Sequence, residues 1–161
     1  METVAKKANP GQYLTFSINS QLYGVPIGTV REINRVTDIT PVPQTPVFVA
    51  GVMNLRGKVI PVIELRVKFG IAKTAQTKQT CIIVIEGETG QVGMIVDSVS
   101  GVIELTAEQI EPAPVLGNDA DMAYVMGMGK VDKGVVVLVD IVRALSRDNL
   151  TGIVESTQKA A

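Results

Sequence analysis

The chain has 161 residues, 15 basic and 16 acidic side chains, a net charge of -1, no histidine, no tryptophan and one cysteine. A chain of this length buries roughly 70% of the surface it exposes unfolded, enough for one domain or two small ones on a shared core without a disulfide or metal. Mixed charge and sparse aromatics offer no stripe for nucleic acid, and without histidine neither acid–base catalysis nor the usual zinc sets are expected.

Residues 1–11 and 151–161 are polar, aperiodic and read as flexible tails. The first carries no apolar core of a signal peptide. Tyr13–Ile18 alternates with period two, Asn19–Gln21 turns, and Leu22–Pro26 returns as a second strand. Ile27–Ile33 continues it through a helical turn. Within Gly51–Gly70, two β-prone apolar runs flank the Gly-bearing turn Asn54-Leu55-Arg56-Gly57. Thr80–Glu86 and Gln91–Val96 form a further hairpin, Gly101–Leu105 another strand, and Val125–Lys130 pairs with Val135–Val139. Such runs are far shorter than the about 20 residues that cross a bilayer. Asp140–Arg147 has Ile141, Val142 and Leu145 at helical spacing, with Asp140 as N-cap.

The chain also repeats. Leu22–Val30 aligns with Gln91–Val99, and Gly57-Lys58-Val59 leading to Val62–Leu65 echoes Gly129-Lys130-Val131 leading to Leu138–Ile141. Two β-units follow, about 12–70 and 78–140, each long enough to curl into a small barrel. The predicted fold is mainly β, with a C-terminal helix at about 140–147.

Most candidate motifs fail on spacing. Gly57-Lys58 and Gly129-Lys130 are both followed by valine, where a phosphate loop needs Ser or Thr. Asn118–Asp121 lacks the glycine and glutamate of a calcium loop. Thr106–Gln109 fits a capping box that Pro112 soon ends. Cys81 sits in an apolar run and reads as core. Met122, Met126 and Met128 read as packing. Arg56 in Asn54-Leu55-Arg56-Gly57 admits two readings, a solvated turn arginine or a planar fork that receives a carboxylate or a partner's carbonyls.

The string Asn54–Gly57, a proline-bearing strand, Glu64-Leu65-Arg66 and Phe69-Gly70 closely resembles the signature of the CheW family of bacterial chemotaxis coupling proteins. The resemblance runs from Gln12 to about Arg147. It includes Tyr23–Ile27, Thr40–Pro43, Gly93–Val99 and Thr106–Ile110. It implies two small SH3-like β-barrels around a shared hydrophobic core within residues 12–150. It also implies a non-catalytic adaptor without cofactor or metal. In this family the partners are the regulatory domain of the histidine kinase CheA and the cytoplasmic hairpin tip of methyl-accepting chemoreceptors. Receptor contacts carry over to Val30, Glu32, Gly51, Arg56, Val59, Gly93 and Val102. Kinase contacts are expected on the far face of the second barrel, with no single residue implied. The resemblance points to the stand-alone adaptor rather than the related domain within CheA. It would be cytoplasmic and recruited to membrane-bound receptor arrays without entering the membrane. Two other classes stay in view. One is a β-barrel that carries a small molecule inside a barrel. The other is a hydrolase using a carboxylate pair such as Glu64 and Asp140.

Overall fold

The computed structural model describes residues 9–72, 74–87, 90–112, 125–132 and 134–141. Its strands are β1 (Gly11–Ile18), β2 (Gln21–Pro26), β3 (Val30–Arg35), β4 (Val49–Leu55), β5 (Lys58–Glu64), β6 (Cys81–Glu86), β7 (Gln91–Val96), β8 (Ser98–Leu105), β9 (Ile110–Glu111), β10 (Val125–Val131) and β11 (Gly134–Val139). A short helix, α1 (Leu65–Lys68), follows β5, and one 3-10 turn each forms at Ile27–Thr29 and Ala107–Gln109. The capping box appears at that second turn, where Thr106 N donates to Gln109 Oε1 at 2.9 Å. The segment read as an N-terminal tail enters β1 at Gly11, and Tyr13 anchors its end by donating its hydroxyl to Asn9 O at 2.5 Å. Residues 1–8, the helix expected at 140–147 from residue 142 onward, the segment 151–161, Asn118–Asp121 and Met122 lie outside the described residues.

Two sheets form, ordered β8-β1-β2-β11-β10-β9 and β3-β6-β7-β5-β4. Neither follows the halves 12–70 and 78–140. Each sheet joins the opening hairpin of one half to the closing strands of the other, so the two units are exchanged. The physical reason lies in the exchanged hairpins. Ile82–Ile85 is buried without a break, so its two faces both need cover. In its observed place, Ile82 and Val84 line the core inside the second sheet, while Ile83 and Ile85 enter the core between sheets.

The repeat persists in the register. Val62 pairs with Gly93 in the parallel β5–β7 contact, and Leu138 pairs with Gly24 in the parallel β11–β2 contact, as the alignment requires. The Gly-Lys echo does not hold. Lys58 opens β5 after its turn, whereas Lys130 precedes the turn at Asp132; Arg56-Gly57 is therefore equivalent to Asp132 and its successor.

Three apolar clusters hold the fold. Tyr13, Leu105, Ile110, Val136 and Leu138 fill the first sheet's curl. Met53, Ile60, Val62, Ile82, Val84 and Ile95 fill the second's. A larger cluster that includes Phe16, Ile63, Leu65, Ile83, Met94 and Val139 lies between the sheets. Fully burying each such side chain stabilises by about 1.5–3 kcal/mol. Met126 packs against the first cluster, as expected of a packing methionine. Cys81 is not core: it is half-buried at the start of β6, at the rim of the shared cluster, and its thiol donates to Gln79 O at 3.0 Å. A strand end tapers out of the core, which an apolar run alone does not reveal.

Candidate functional site

The β4–β5 hairpin closes in two residues. Leu55 pairs with Lys58, and Arg56 and Gly57 turn with φ of +52° and +85°. This left-handed pair matches the strand twist and is the reason glycine follows the arginine. Asn54 steadies the turn, its Oδ1 accepting Gly57 N at 2.7 Å.

The turn aims Arg56 across an open seam. Strands β3 and β4 stand at opposite ends of the second sheet, and the ends are joined where Thr40, beyond β3, bridges Val52 on β4. There Arg56 Nη1 donates to Glu32 Oε1 at 3.0 Å and Nη2 donates to Oε2, a two-pronged pair. Asn34 Nδ2 adds a bond to Oε1 at 3.0 Å. Hydrogen bonds from Arg56 and then from Asn34 hold the Glu32 carboxyl below its ordinary pKa. Glu32 in turn pushes the Arg56 guanidinium above its own. Arg56 remains 69% exposed while Glu32 is 23% exposed, so the cation is presented on a carboxylate that the strands partly cover.

Val30 opens β3 and packs half-buried against the shared core. Val59 lies half-buried on β5, opposite Asn54 beside the turn. These join Glu32 and Arg56 on the second sheet. Val102 is on the other sheet, 50% exposed on its edge strand β8.

The two glycines behave differently. Gly51 is buried, with φ of +146°, and a Cβ there would fall 2.2 Å from Thr40 O. Only glycine lets Thr40 close its two-way bridge with Val52, at 2.8 and 2.9 Å. Gly93 is buried in β7, and a Cβ would meet Ile82 Cγ2 at 2.9 Å. Both glycines shape the sheet from inside and offer no surface.

Sequence reasoning did not single out Ile33, which is 44% exposed on the edge strand β3. It pairs with Ile83 as Val102 pairs with Leu14, and both partners belong to the shared core. The two are repeat equivalents, so extending the alignment past Val30 and Val99 would have found Ile33. Of the carboxylates weighed for hydrolysis, Glu64 ends β5 and Asp140 follows β11, equivalent places on separate sheets.

Among the described residues, apolar side chains fill the interiors of both sheets. A cleft of about 330 Å³ instead lies beside the shared core, lined by residues that include Val25, Thr29, Glu86, Met126, Asp140 and Ile141. Among the described residues no cluster of candidate metal ligands occurs, and no helix is long and apolar enough to cross a membrane.

Residues 12–149 match the family model described as CheW-like domain. The chain belongs to the CheW-like family. It is 37% identical to the chemotaxis protein CheW of Klebsiella aerogenes over 99% of this chain and 98% of that protein. Protein FrzA of Myxococcus xanthus is 33% identical over 78% of each. The crystal structure of scaffolding protein TtCheW from Thermoanaerobacter tengcongensis superposes with a TM-score of 0.75 at 39% identity, covering 81% of this chain and 89% of that one. The mainly β, two-sheet architecture is thus that of a CheW fold.

Proposed function

We propose that this chain is a non-catalytic chemotaxis adaptor that couples chemoreceptors to the histidine kinase CheA within one signalling complex. It works in the cytoplasm and is carried to receptor arrays by its partners. The receptor's helical hairpin tip docks at the Glu32–Arg56 seam, with Val30 and Val59 beside the pair and Val102 and Ile33 at the sheet edges. The regulatory domain of CheA binds a separate face formed by the later strands. Gly51 and Gly93 act on the receptor site by shaping its sheet.

One observation carries the reading. The internal repeat builds the same kind of sheet twice, but among the described residues an Arg–Glu pair stands at the seam of the second alone. The first has Lys130 Nζ on Glu111 Oε2 at 2.9 Å, between β10 and β9. At the equivalent places of the other sheet stand Gly101, which has no side chain, and Asp132. The fold therefore closes such a sheet without an Arg–Glu pair, and the Arg56 guanidinium, 69% exposed, is within a partner's reach. Its exposed fork suits polar register-setting against a helix whose apolar stripe lies on valine, the division of labour in helix-in-groove recognition. The names of the relatives, chemotaxis and scaffolding proteins, agree with this role.

Reconstitution tests it. CheA autophosphorylation should rise on adding this protein only when a receptor cytoplasmic fragment is present. Equal stimulation with and without receptor would overturn the coupling role.

A further inference from the structure

The chain passes between its two sheets at two equivalent crossovers, and they are built differently. One runs from β7 to β8 through Asp97; the other runs from β2 to β3 through Ile27–Thr29. The repeat aligns Asp97 with Gly28.

Three elements meet at Asp97. Its Oδ2 accepts Arg66 Nη1 at 2.5 Å and the backbone N–H of Asn19 at 2.8 Å. Its own N–H donates to Ser17 O at 3.1 Å. Arg66, only 7% exposed in α1, also donates from Nε to Ala72 O at 2.8 Å. Next to this, the Ser17 and Ser98 hydroxyls bond at 2.7 Å. The end of the second sheet, the crossover and the β1–β2 turn of the first sheet are thereby tied to one carboxylate.

At Gly28 the carboxylate has no counterpart. Thr29 Oγ1 bonds locally to Pro26 O at 2.8 Å, and the cleft of about 330 Å³ opens beside it between the sheets. Among the described residues, the junction is thus tied through a carboxylate at one crossover and carries no such carboxylate at the other.

We propose that Arg66 and Asp97 are positioning residues: their ion pair is a latch that holds the Asp97 crossover and so limits motion between the two sheets. A buried arginine cannot give up its partner without leaving an uncompensated charge. The latch therefore holds one crossover, and the glycine crossover, which has no such pair, is the more deformable of the two.

Spin labels, one per sheet, read the angle. In a Cys81→Ser background, Lys58→Cys on β5 and Glu104→Cys on β8 place labels at exposed positions, and pulsed electron resonance gives the distance distribution. Asp97→Asn keeps an acceptor for the Asn19 N–H but removes the charge that holds Arg66. It should broaden the distribution by about twofold or more, the latched crossover having been freed. Asp97→Glu should restore much of the narrow distribution. Arg31→Gln, which breaks the 3.0 Å Arg31–Glu86 pair within one sheet, should leave the width unchanged. Should Asp97→Asn melt below the working temperature, Arg66→Lys, which keeps charge but loses the fork, is read in its place. A width equal to the parent's in whichever variant folds overturns the latch.

Discussion

Arg56 grips Glu32 with both terminal nitrogens, joining a turn after β4 to the strand at the opposite end of the same sheet. The pair is local in space and distant in order. Glu32 waits on β3 until β5, β6 and β7 have been laid between the two ends.

The carboxyl of Glu32 should report this contact directly. Its folded pKa lies below the ordinary 4.5, so the pair's contribution is present above that value and is lost as pH falls through the lowered one. Carbon-detected NMR titration should show Glu32 titrating below the ordinary carboxylate value. In Arg56→Ala it should move back up, with Asn34 retaining a smaller part of the shift. An unmoved Glu32 would mean that the pair does not form in solution.

Gly51 and Gly93 should separate under substitution. Gly93→Ala presses a methyl on Ile82, a side chain that can yield, at a cost on the order of 1–3 kcal/mol. Gly51→Ala meets the Thr40 carbonyl, which is backbone, and adds roughly 1–3 kcal/mol of strain at positive φ. Urea unfolding should therefore rank Gly51→Ala as the more damaging. The reverse order would show that the Thr40–Val52 bridge is easily given up.

Cys81→Ser should be tolerated. The thiol already donates to the Gln79 carbonyl, and a hydroxyl can make the same bond at a half-buried place. The unfolding free energy should change by no more than about 1 kcal/mol, the worth of a typical hydrogen bond, with coupling intact. A folded Cys81→Ser protein that failed to couple would give the thiol a role the account denies.

Much of the fold was legible because apolar, β-prone runs bounded by turn residues mark strands. Tyr13–Ile18, Gln91–Val96 and Val135–Val139 all appear where their patterns place them. Sheet membership was not legible. A period of two assigns faces but not neighbours, so the run Ile82–Ile85 announced a strand covered on both sides without naming the sheet that covers it. The site divides the same way. Gly57 betrays the turn that presents Arg56, because its backbone requirement is local. Glu32 as the receiving carboxylate depends on closure across the sheet, and the Arg66–Asp97 pair depends on how two sheets stack; neither leaves a local mark.

The central claim is that Arg56 serves recognition of the receptor rather than the fold. Thermal unfolding of Arg56→Glu, with separate titrations against a receptor cytoplasmic fragment and the CheA regulatory domain, tests it most directly. Exposed turn substitutions scarcely move stability, whereas charge reversal at an interface both removes a contact and adds repulsion. The account predicts an almost unchanged melting temperature, receptor affinity lower by about tenfold or more, and CheA affinity preserved. A large drop in melting temperature, or equal loss of both partners, would contradict it.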